Sequence, residues 1–325
     1  MAKETYLVTG AMGCIGAWVL RHLTDRGARV IATDLATDPV RPRLLMSEEE
    51  IAAITWHVLD VTDTRAVVDT VSAEGVTRII HLAGLQIPFC RANPPLGAAV
   101  NVTGTVNIFE AARASGVTGL AYASSLAALG PPDVYDTWPL PDSAGPDPHT
   151  LYGVYKVANE GTARIYATDW GVGSIGLRPY VVYGVARDQG VSADCAKAIL
   201  AAAAGNAFHI RFSGEIALQH ASDVAEIFIG CADAQVTGAR VCNLRNDVIT
   251  VADFTALLND RYPDARITCE KDTALPFPAN LAGDGLADLL GTVPHTPLDD
   301  AIEKDVAMYR KLLGEGKLTL DQLSD

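Results

Sequence analysis

Three glycines lie at the junction between an apolar strand and a helix near the start of the chain. Residues 5–9 have the continuous apolar pattern of a buried strand, and residues 14–26 have the periodicity of a helix. The turn between them contains Gly10, Gly13 and Gly16. Glycines at this spacing permit a tight turn, a close approach of a ligand to the backbone, and close packing of the helix on the strand. The sequence therefore begins with a predicted strand–turn–helix unit.

The first half of the chain repeats this alternation of strand and helix. Further apolar strands are predicted at residues 29–33, 55–59, 78–82 and 119–124, and long helices at 96–115 and 152–169. Such strands separated by helices are typical of a parallel sheet covered on both faces, and right-handed crossovers favour a doubly wound arrangement. We therefore predict an α/β protein with a doubly wound parallel sheet of the Rossmann type.

The second half has a looser pattern. Helices are predicted at residues 193–204, 250–260 and 298–313, and residues 272–285 look irregular. We expect a nucleotide-binding Rossmann domain at residues 1–178 and a smaller, mainly substrate-binding C-terminal lobe at residues 179–325. Some strands and helices of that lobe are expected to return to the first domain.

The glycine-rich turn predicts a dinucleotide site because it opens a helix. Helix N-termini bind phosphate through free N–H groups and the positive end of the helix dipole. The residues expected at the cofactor are Gly10, Gly13, Cys14, Ile15, Gly16, Asp34, Asp60 and Val61. Asp34 ends the second strand, where a carboxylate binds the adenosine ribose and repels a 2′-phosphate. This favours NAD, although Arg41 and Arg43 leave NADP open.

A tyrosine and a lysine share one face of the helix predicted at 152–169. Tyr152 and Lys156 are four residues apart, so both project from the same side. A nearby ammonium and a positive nicotinamide ring both favour the phenolate, which can accept the proton of a substrate hydroxyl. Ser124 and Ser125 end the fifth strand at the ligand-binding edge of the sheet, and Ser125 is predicted to hydrogen-bond the reacting oxygen. Tyr155 either lines this site or packs against the sheet or a partner helix.

The composition argues against several other classes of protein. The formal net charge is −14, and no lysine or arginine cluster offsets it. Such a surface repels nucleic acid and anionic membranes, and no segment is apolar enough for export or a membrane span. The six cysteines are scattered without metal-ligand spacing, which favours a reducing cytoplasm and no metal site. We expect a cytoplasmic protein that acts on a small molecule.

Together these residues resemble the extended short-chain dehydrogenase/reductase family, whose members are often labelled NAD-dependent epimerase/dehydratase. The resemblance covers nearly the whole chain. Besides the glycine turn, it rests on His81-Leu82-Ala83-Gly84, Asn101-Val102-x-Gly104-Thr105, Glu110-Ala111-Ala112, Ser124-Ser125, Tyr152-x-x-x-Lys156, Arg178-Pro179-x-x-Val182-Tyr183-Gly184 and Asp223-Val224-Ala225.

The resemblance implies a role for each matching residue. It makes Ser125, Tyr152 and Lys156 a catalytic triad. The residues that it places along the cofactor are Leu82, Ala83, Gly84, Ser124, Tyr152, Lys156, Pro179 and Val182, with Asn101 on a supporting helix near the site. It also implies a homodimer formed through the helices at 96–115 and 152–169.

Two departures from the family pattern narrow the expected chemistry. Sugar-nucleotide dehydratases of the family carry an Asp-Glu pair after the serine or threonine, and the decarboxylases a Glu, whereas Leu126-Ala127-Ala128-Leu129 follows here. Nucleotide-sugar epimerases carry an arginine shortly before the Asp-Val-Ala motif, where Ile216 lies in an apolar stretch. A substrate smaller than a UDP-sugar is therefore expected.

Three candidate functions are compared for these residues. The first is an NAD-dependent dehydrogenase acting on a secondary alcohol of a small sugar, sugar acid or polyol. Its predicted substrate contacts are Gln86, Ser125, Tyr152, Arg187 and His220. An epimerase with tightly held NAD would use the same catalytic residues and stays open. A non-catalytic NAD-sensing protein would typically have lost the tyrosine or lysine, so their retention favours an enzyme.

Overall fold

Strands and helices alternate along the first half of the chain. The computed structural model describes residues 4–323. Its strands are β1 (Thr5–Thr9), β2 (Arg29–Asp34), β3 (Thr55–Val58), β4 (Arg78–His81), β5 (Gly119–Ala123), β6 (Ser174–Arg178), β7 (Val181–Tyr183), β8 (Ala207–Ile210), β9 (Glu215–His220), β10 (Ala239–Asn243), β11 (Asp247–Thr250) and β12 (Arg266–Cys269).

The helices fill most of the intervals between strands. They are α1 (Cys14–Asp25), α2 (Glu48–Ala52), α3 (Thr64–Ala73), α4 (Ile87–Ala92), α5 (Pro94–Ala98), α6 (Gly104–Ser115), α7 (Leu151–Trp170), α8 (Asp194–Ala204), α9 (Ala221–Asp233), α10 (Val251–Arg261), α11 (Asp284–Leu290) and α12 (Leu298–Gly314). None of these helices is both long enough and apolar enough to cross a membrane.

Seven strands form one parallel sheet in the order β10-β6-β5-β4-β1-β2-β3. Strand β1 pairs with β2 on one side and with β4 on the other, so the direction of winding reverses between β1 and β4. Helices α1 and α9 cover one face, and α3, α6 and α7 cover the other. The predicted doubly wound Rossmann sheet is therefore confirmed, and ligands are expected at the carboxyl edge where the order reverses.

The second half of the chain both extends this sheet and builds two smaller ones. Strand β10 pairs in parallel with β6 at the edge of the large sheet. Strands β7, β9 and β11 form a three-stranded sheet, and β8 pairs with β12. Helices α8, α10 and α12 pack with these small sheets around a separate hydrophobic core.

The helix predicted at 96–115 is interrupted. Helix α5 ends at Ala98, a π-helical turn occupies residues 99–103, and α6 begins at Gly104. The Asn101 amide donates to the carbonyls of Gly97 and Leu85, while the Thr105 hydroxyl donates to the Asn101 carbonyl. Polar side chains thus take backbone acceptors inside the helix, which is a known cause of local distortion.

Candidate active site

A cavity of about 750 Å³ follows the carboxyl edge of the large sheet. Most of the predicted site residues line it, namely Gly10, Gly13, Cys14, Ile15, Gly16, Asp34, Asp60, Val61, Leu82, Ala83, Gly84, Gln86, Ser124, Ser125, Tyr152, Lys156, Pro179, Val182 and Arg187. Asn101 and His220 are not among the lining residues. One continuous space therefore joins the predicted cofactor residues to the predicted catalytic residues.

The turn between β1 and α1 leaves no room for side chains at its glycines. Gly10 has a φ of +67°, and a Cβ there would lie 2.7 Å from the Ala83 nitrogen. A Cβ at Gly16 would lie 2.3 Å from the Gly10 oxygen. Gly13 is the N-cap residue of α1 and makes no side-chain cap. The N–H groups of the first helical turn therefore remain available at the cavity wall. These residues fit the pyrophosphate of a dinucleotide.

Asp34 presents its carboxylate to the cavity at the end of β2. Its Oδ2 accepts a hydrogen bond from the Met12 nitrogen at 3.0 Å, and its Oδ1 accepts one from the Leu35 nitrogen at 2.8 Å. These bonds hold the carboxylate beside the glycine turn, in the place expected for a partner of the ribose hydroxyls.

The two arginines that left NADP open are both engaged with carboxylates. Nε and Nη2 of Arg41 donate to the Asp188 carboxylate at 3.0 and 2.8 Å, and its Nη1 donates to the Met12 carbonyl. Arg43 pairs with Glu48 at 3.0 Å. Both guanidiniums thus already have anionic partners, which agrees with a cofactor that lacks the 2′-phosphate.

Ser125, Tyr152 and Lys156 meet in the cavity wall. Ser125 and Tyr152 both line the cavity, and the Ser125 hydroxyl is near enough to the phenol to act on the pKa of Tyr152. The Lys156 Nζ lies 5.3 Å from the centre of the Tyr152 ring and donates to the Ala123 carbonyl at 2.7 Å. The arrangement brings a hydroxyl, a phenol and an ammonium to one place at the end of β5.

Burial sets the proton affinities of this group. It raises the pKa of Tyr152, and the nearby Ser125 hydroxyl acts in the opposite direction. It lowers the pKa of Lys156 to about 8. Because the ammonium is directed at a backbone carbonyl, the sequence expectation of a lowered tyrosine pKa is not met by the protein alone. Deprotonation of Tyr152 needs additional positive charge, which an oxidised nicotinamide ring supplies when bound.

A buried ion pair that was not predicted from the sequence holds the segment of Ser124. The Ser124 hydroxyl donates to Glu160 at 2.6 Å, and Arg178 donates to the same carboxylate twice at 2.8 Å. Glu160 follows Tyr152 by eight residues on α7 and therefore lies on the same helix face, a spacing that the sequence contained. The pair ties α7 to the ends of β5 and β6.

The start of α7 is fixed by a residue that the sequence analysis also missed. The Thr150 side chain accepts a hydrogen bond from the Gly153 nitrogen at 3.0 Å. This N-cap places Tyr152 in the first helical turn, and Thr150 itself lines the cavity. The sequence does contain the pattern of this cap, because Thr150 lies three residues before Gly153 at a predicted helix start.

Asn101 lies behind the cavity wall rather than in it. The residue is fully buried, and its amide nitrogen is taken by backbone carbonyls. Its Oδ1 has no hydrogen-bond partner and lies close to the Gly84 Cα, since a Cβ built there would be 2.7 Å away. The structure therefore places Asn101 as a support of the Gly84 segment and does not bring it into the cavity as a direct cofactor contact.

The predicted substrate contact at His220 is corrected by the structure. His220 is 6% exposed at the end of β9, and its Nε2 lies 3.3 Å from the Asp305 carboxylate of α12. Its ring packs near Trp18 and Tyr183. The residue lies in the protein interior because β9 is buried, a placement that a local polar pattern does not reveal.

The remaining predicted substrate contacts lie together with residues from distant parts of the chain. Gln86 and Arg187 line the cavity, and Ser192, Tyr180 and residues 275–277 join them. Residues 275–277 belong to the irregular segment, whose place in the fold no periodic pattern predicts. This end of the cavity is the candidate substrate site.

Comparisons with known proteins show the family of the chain. The model of the NAD dependent epimerase/dehydratase family matches residues 6–244. An uncharacterised 37.6 kDa protein of Escherichia coli O111:H- is 26% identical, over 94% of this chain and 98% of its own length. The chain spans only about three fifths of the length of two further curated relatives.

Solved structures share the fold across the chain. The L-threonine dehydrogenase of Clostridium difficile superposes with a TM-score of 0.82 at 19% identity, covering 96% of this chain and 99% of that one. The UDP-glucose 4-epimerase of Thermotoga maritima has a TM-score of 0.81 at 22% identity, covering 95% and 100%. Because the family model covers most of the chain, the protein belongs to the NAD-dependent epimerase/dehydratase family of extended short-chain dehydrogenases/reductases, and its cofactor is NAD.

Proposed function

We propose that this protein oxidises a secondary alcohol of a small sugar, sugar acid or other small polyhydroxy compound, with Ser125, Tyr152 and Lys156 as its catalytic residues. The observation that carries the proposal is the meeting of Ser125, Tyr152 and the Lys156 ammonium in the wall of the cavity that continues into the glycine turn. NAD supplies the hydride acceptor when bound.

Each side chain has a distinct task in this proposal. Ser125 hydrogen-bonds the substrate oxygen, and Tyr152 accepts the hydroxyl proton while the hydride leaves the same carbon. Lys156 holds positive charge near the phenol and orients the ribose next to the nicotinamide. The alcohol would thereby lose a hydride to bound NAD and a proton to Tyr152, and become a carbonyl compound.

The apolar departures in the sequence support a substrate smaller than a sugar nucleotide. Leu126 lies in a buried turn after Ser125 and presents no carboxylate, as dehydration chemistry would need. Ile216 is fully buried in β9 and has no contact with the cavity. The position where an epimerase would bind a diphosphate is therefore part of the core.

A second candidate is an epimerase that retains NAD through each reaction cycle. Arg41 supports this candidate, because it ties the segment after β2 to Asp188 in the loop after β7 and also contacts Met12 in the glycine turn. A bridge over the cofactor cradle would slow release of NAD. Purified protein that retains NAD and interconverts sugars without net NADH formation would favour this candidate.

We also propose that the protein acts as a homodimer. Several apolar side chains on α5 and α7 are exposed by more than two fifths of their surface, namely Leu96, Leu151, Val154 and Ile165. Light scattering on the purified protein tests this assembly, and a monomer mass at micromolar concentration would contradict it.

The test of the oxidoreductase function compares two tyrosines on the same helix. Tyr152→Phe removes the proposed base and should lower kcat roughly 10²- to 10⁴-fold while NAD binding persists. Tyr155→Phe is the matched control, because the Tyr155 hydroxyl donates to the Pro94 carbonyl and does not line the cavity. NADH absorbance is followed with a panel of polyols, aldonates and hydroxy acids. Wild-type turnover in the Tyr152 variant would refute the assigned mechanism.

A further inference from the structure

The loop after β7 brings Arg187, which forms no ion pair with an acidic side chain among residues 4–323, to the substrate end of the cavity. We infer that Arg187 binds a carboxylate of the substrate, so that the protein acts on a short hydroxy acid. This inference rests on the proposed oxidoreductase function and names the substrate class of the same site.

The guanidinium of Arg187 retains unused hydrogen-bonding capacity. Its Nη2 donates to the Ser192 hydroxyl at 3.0 Å, and its Nε is buried without a hydrogen-bond partner. The neighbouring Asp188 carboxylate is bound by Arg41 at 2.8 Å, and no carboxylate among residues 4–323 forms an ion pair with Arg187. A cavity-lining guanidinium that has no anionic partner among these residues can bind the carboxylate of a ligand.

The backbone around Arg187 is held in an unusual conformation. Ala186 is buried with a φ of +75°, and the loop is bounded by Gly184 at +121° and Gly190 at +87°. The Arg187 nitrogen donates to the Gly184 carbonyl at 3.2 Å, which closes a tight turn. Positive φ at a non-glycine residue costs free energy and is concentrated at ligand-binding segments.

A second polar side chain lies at the same place. A Cβ at Gly190 would be 2.7 Å from the Gln86 Oε1 and 3.7 Å from the Arg187 Nη2. The φ of +87° favours glycine at this position, and the Gln86 amide and the Arg187 guanidinium both reach this part of the loop. The Ser192 hydroxyl completes a cluster of three groups that can all donate hydrogen bonds to an anion.

The charge balance of the cavity favours a carboxylate over a diphosphate. The other two cationic side chains in the wall already have acceptors, since Arg41 is paired with Asp188 and Lys156 donates to the Ala123 carbonyl. One available guanidinium neutralises one carboxylate and matches its two oxygens in a planar fork. A diphosphate carries more charge than this end of the cavity can neutralise.

The substrate end of the cavity also has an anchored apolar wall. Residues 275–277 line it, and the segment is tied down by the Ser213–Thr273 and Leu140–Ala282 backbone bonds, both 2.9 Å long. The rings of Tyr180 and Phe277 pack edge to face at 5.9 Å. An anchored apolar wall in the same cavity as one arginine suits a carbon chain that carries a carboxylate and a hydroxyl.

The experiment compares an anionic alcohol with an uncharged one. The probes are β-hydroxybutyrate, L-threonine and gluconate as hydroxy acids, and isopropanol and sorbitol as uncharged alcohols. Arg187→Met should lower the ratio of kcat/KM for the best hydroxy acid to that for the best uncharged alcohol roughly 10- to 150-fold, mainly through KM. Arg187→Lys should restore part of the ratio, and Arg91→Met is the control because Arg91 is exposed outside the cavity.

A binding measurement separates this inference from the proposed function. Tyr152→Phe loaded with NAD should gain thermal stability from the hydroxy acid, and the double variant with Arg187→Met should not. This result would support the inference even if no turnover were found. Thermal stabilisation by β-hydroxybutyrate that persists in the double variant would overturn it. Arg187-dependent binding of glucose 6-phosphate or UDP-glucose, without binding of any hydroxy acid, would also overturn it.

Discussion

Tyr152 occupies a position where burial opposes the charge that its proposed role requires. The buried phenol has a raised pKa, and the nearby Lys156 ammonium donates to a backbone carbonyl. Burial also lowers the pKa of Lys156 to about 8. At the scale of single residues, the phenolate therefore depends on positive charge near the ring rather than on a direct salt bridge.

Lys156→Met should show the effect of the ammonium on the Tyr152 phenol as a change in the dependence of kcat/KM on pH. An ammonium about 5 Å from the phenol ring stabilises the phenolate by roughly 3 kcal/mol at an effective dielectric of about 20, equivalent to ~2 pKa units. We expect the rise of kcat/KM with pH to move to higher pH in the variant. The phenolate in turn raises the pKa of Lys156 by the same coupling, so the two profiles should converge only at a pH well above 8. They are measured at saturating NAD, and superimposable profiles below pH 8 would contradict the role of Lys156.

Asp34→Ala tests the cofactor preference. Removal of the carboxylate takes away its bonds to the ribose and its repulsion of a 2′-phosphate, so kcat/KM for NAD should fall roughly 10- to 150-fold. The ratio of NADP to NAD activity should rise. Asp69→Ala on exposed α3 is the control. An unchanged cofactor ratio would show that Asp34 only braces Met12 and Leu35.

Two helices position the chemistry at the scale of elements. Helix α1 meets the cofactor end-on, because its uncapped N-terminus opens at the glycine turn. Helix α7 meets the site side-on, because Tyr152, Lys156 and Glu160 follow one another at four-residue intervals along one face. The end-on arrangement of α1 requires the backbone to come close to the cofactor. The side-on arrangement of α7 requires the helix to begin at a fixed residue.

Gly16→Ala should damage the contact between α1 and the glycine turn. The new Cβ would lie 2.3 Å from the Gly10 oxygen and 2.8 Å from the Ala11 Cα, so the helix has to move. We expect a loss of about 1–3 kcal/mol in the free energy of unfolding and weaker NAD binding. Gly161→Ala within α7 is the matched control. Nothing lies within 4 Å of its Cβ, so a gain of about 0.5–1 kcal/mol is expected.

At the scale of the whole molecule, a buried His–Asp pair connects the C-terminal helix to the small sheet beside the cofactor helix. His220 of β9 bonds Asp305 of α12, and Tyr309 of α12 donates to the Gly184 carbonyl at the end of β7. Trp18 of α1 donates to the Val185 carbonyl at 3.0 Å. These contacts place α12 against the same loop that carries Arg187.

His220→Gln should lower the free energy of unfolding and make it depend less on pH. Burial lowers the pKa of His220, but the Asp305 bond and charge outweigh it, so the net pKa is raised above 6.5. The pair therefore stabilises the fold fully below pH 6.5 and loses this contribution as the pH rises through the raised pKa. Urea unfolding at about pH 6 and about pH 8 should show a stability loss that is larger at the lower pH. Exposed His209→Gln is the control, and an equal loss at both pH values would contradict the pairing.

The predicted boundary between lobes at residue 178 remains a prediction, although the connectivity shows why it is hard to define. Strand β10 follows the whole of β7, β8 and β9 in sequence, yet it pairs with β6 in the large sheet. Helix α9 likewise packs on the face of that sheet with α1. The chain thus crosses between the two sets of strands more than once.

The sequence by itself determined the parallel sheet, the glycine turn and the spacing of Tyr152 and Lys156, because these follow from local periodicity and from steric limits within a few residues. It did not determine the break in the helix at residues 99–103, the burial of His220, or the bridge from Glu160 to Ser124. Those depend on contacts between residues far apart in the chain, whose pairing no local pattern encodes. The same reason explains why Arg187 appeared only as one polar loop residue among several. Its guanidinium without an ion pair among the described residues, its strained loop and the apolar wall of the same cavity arise only when segments near residues 86, 187 and 276 fold together.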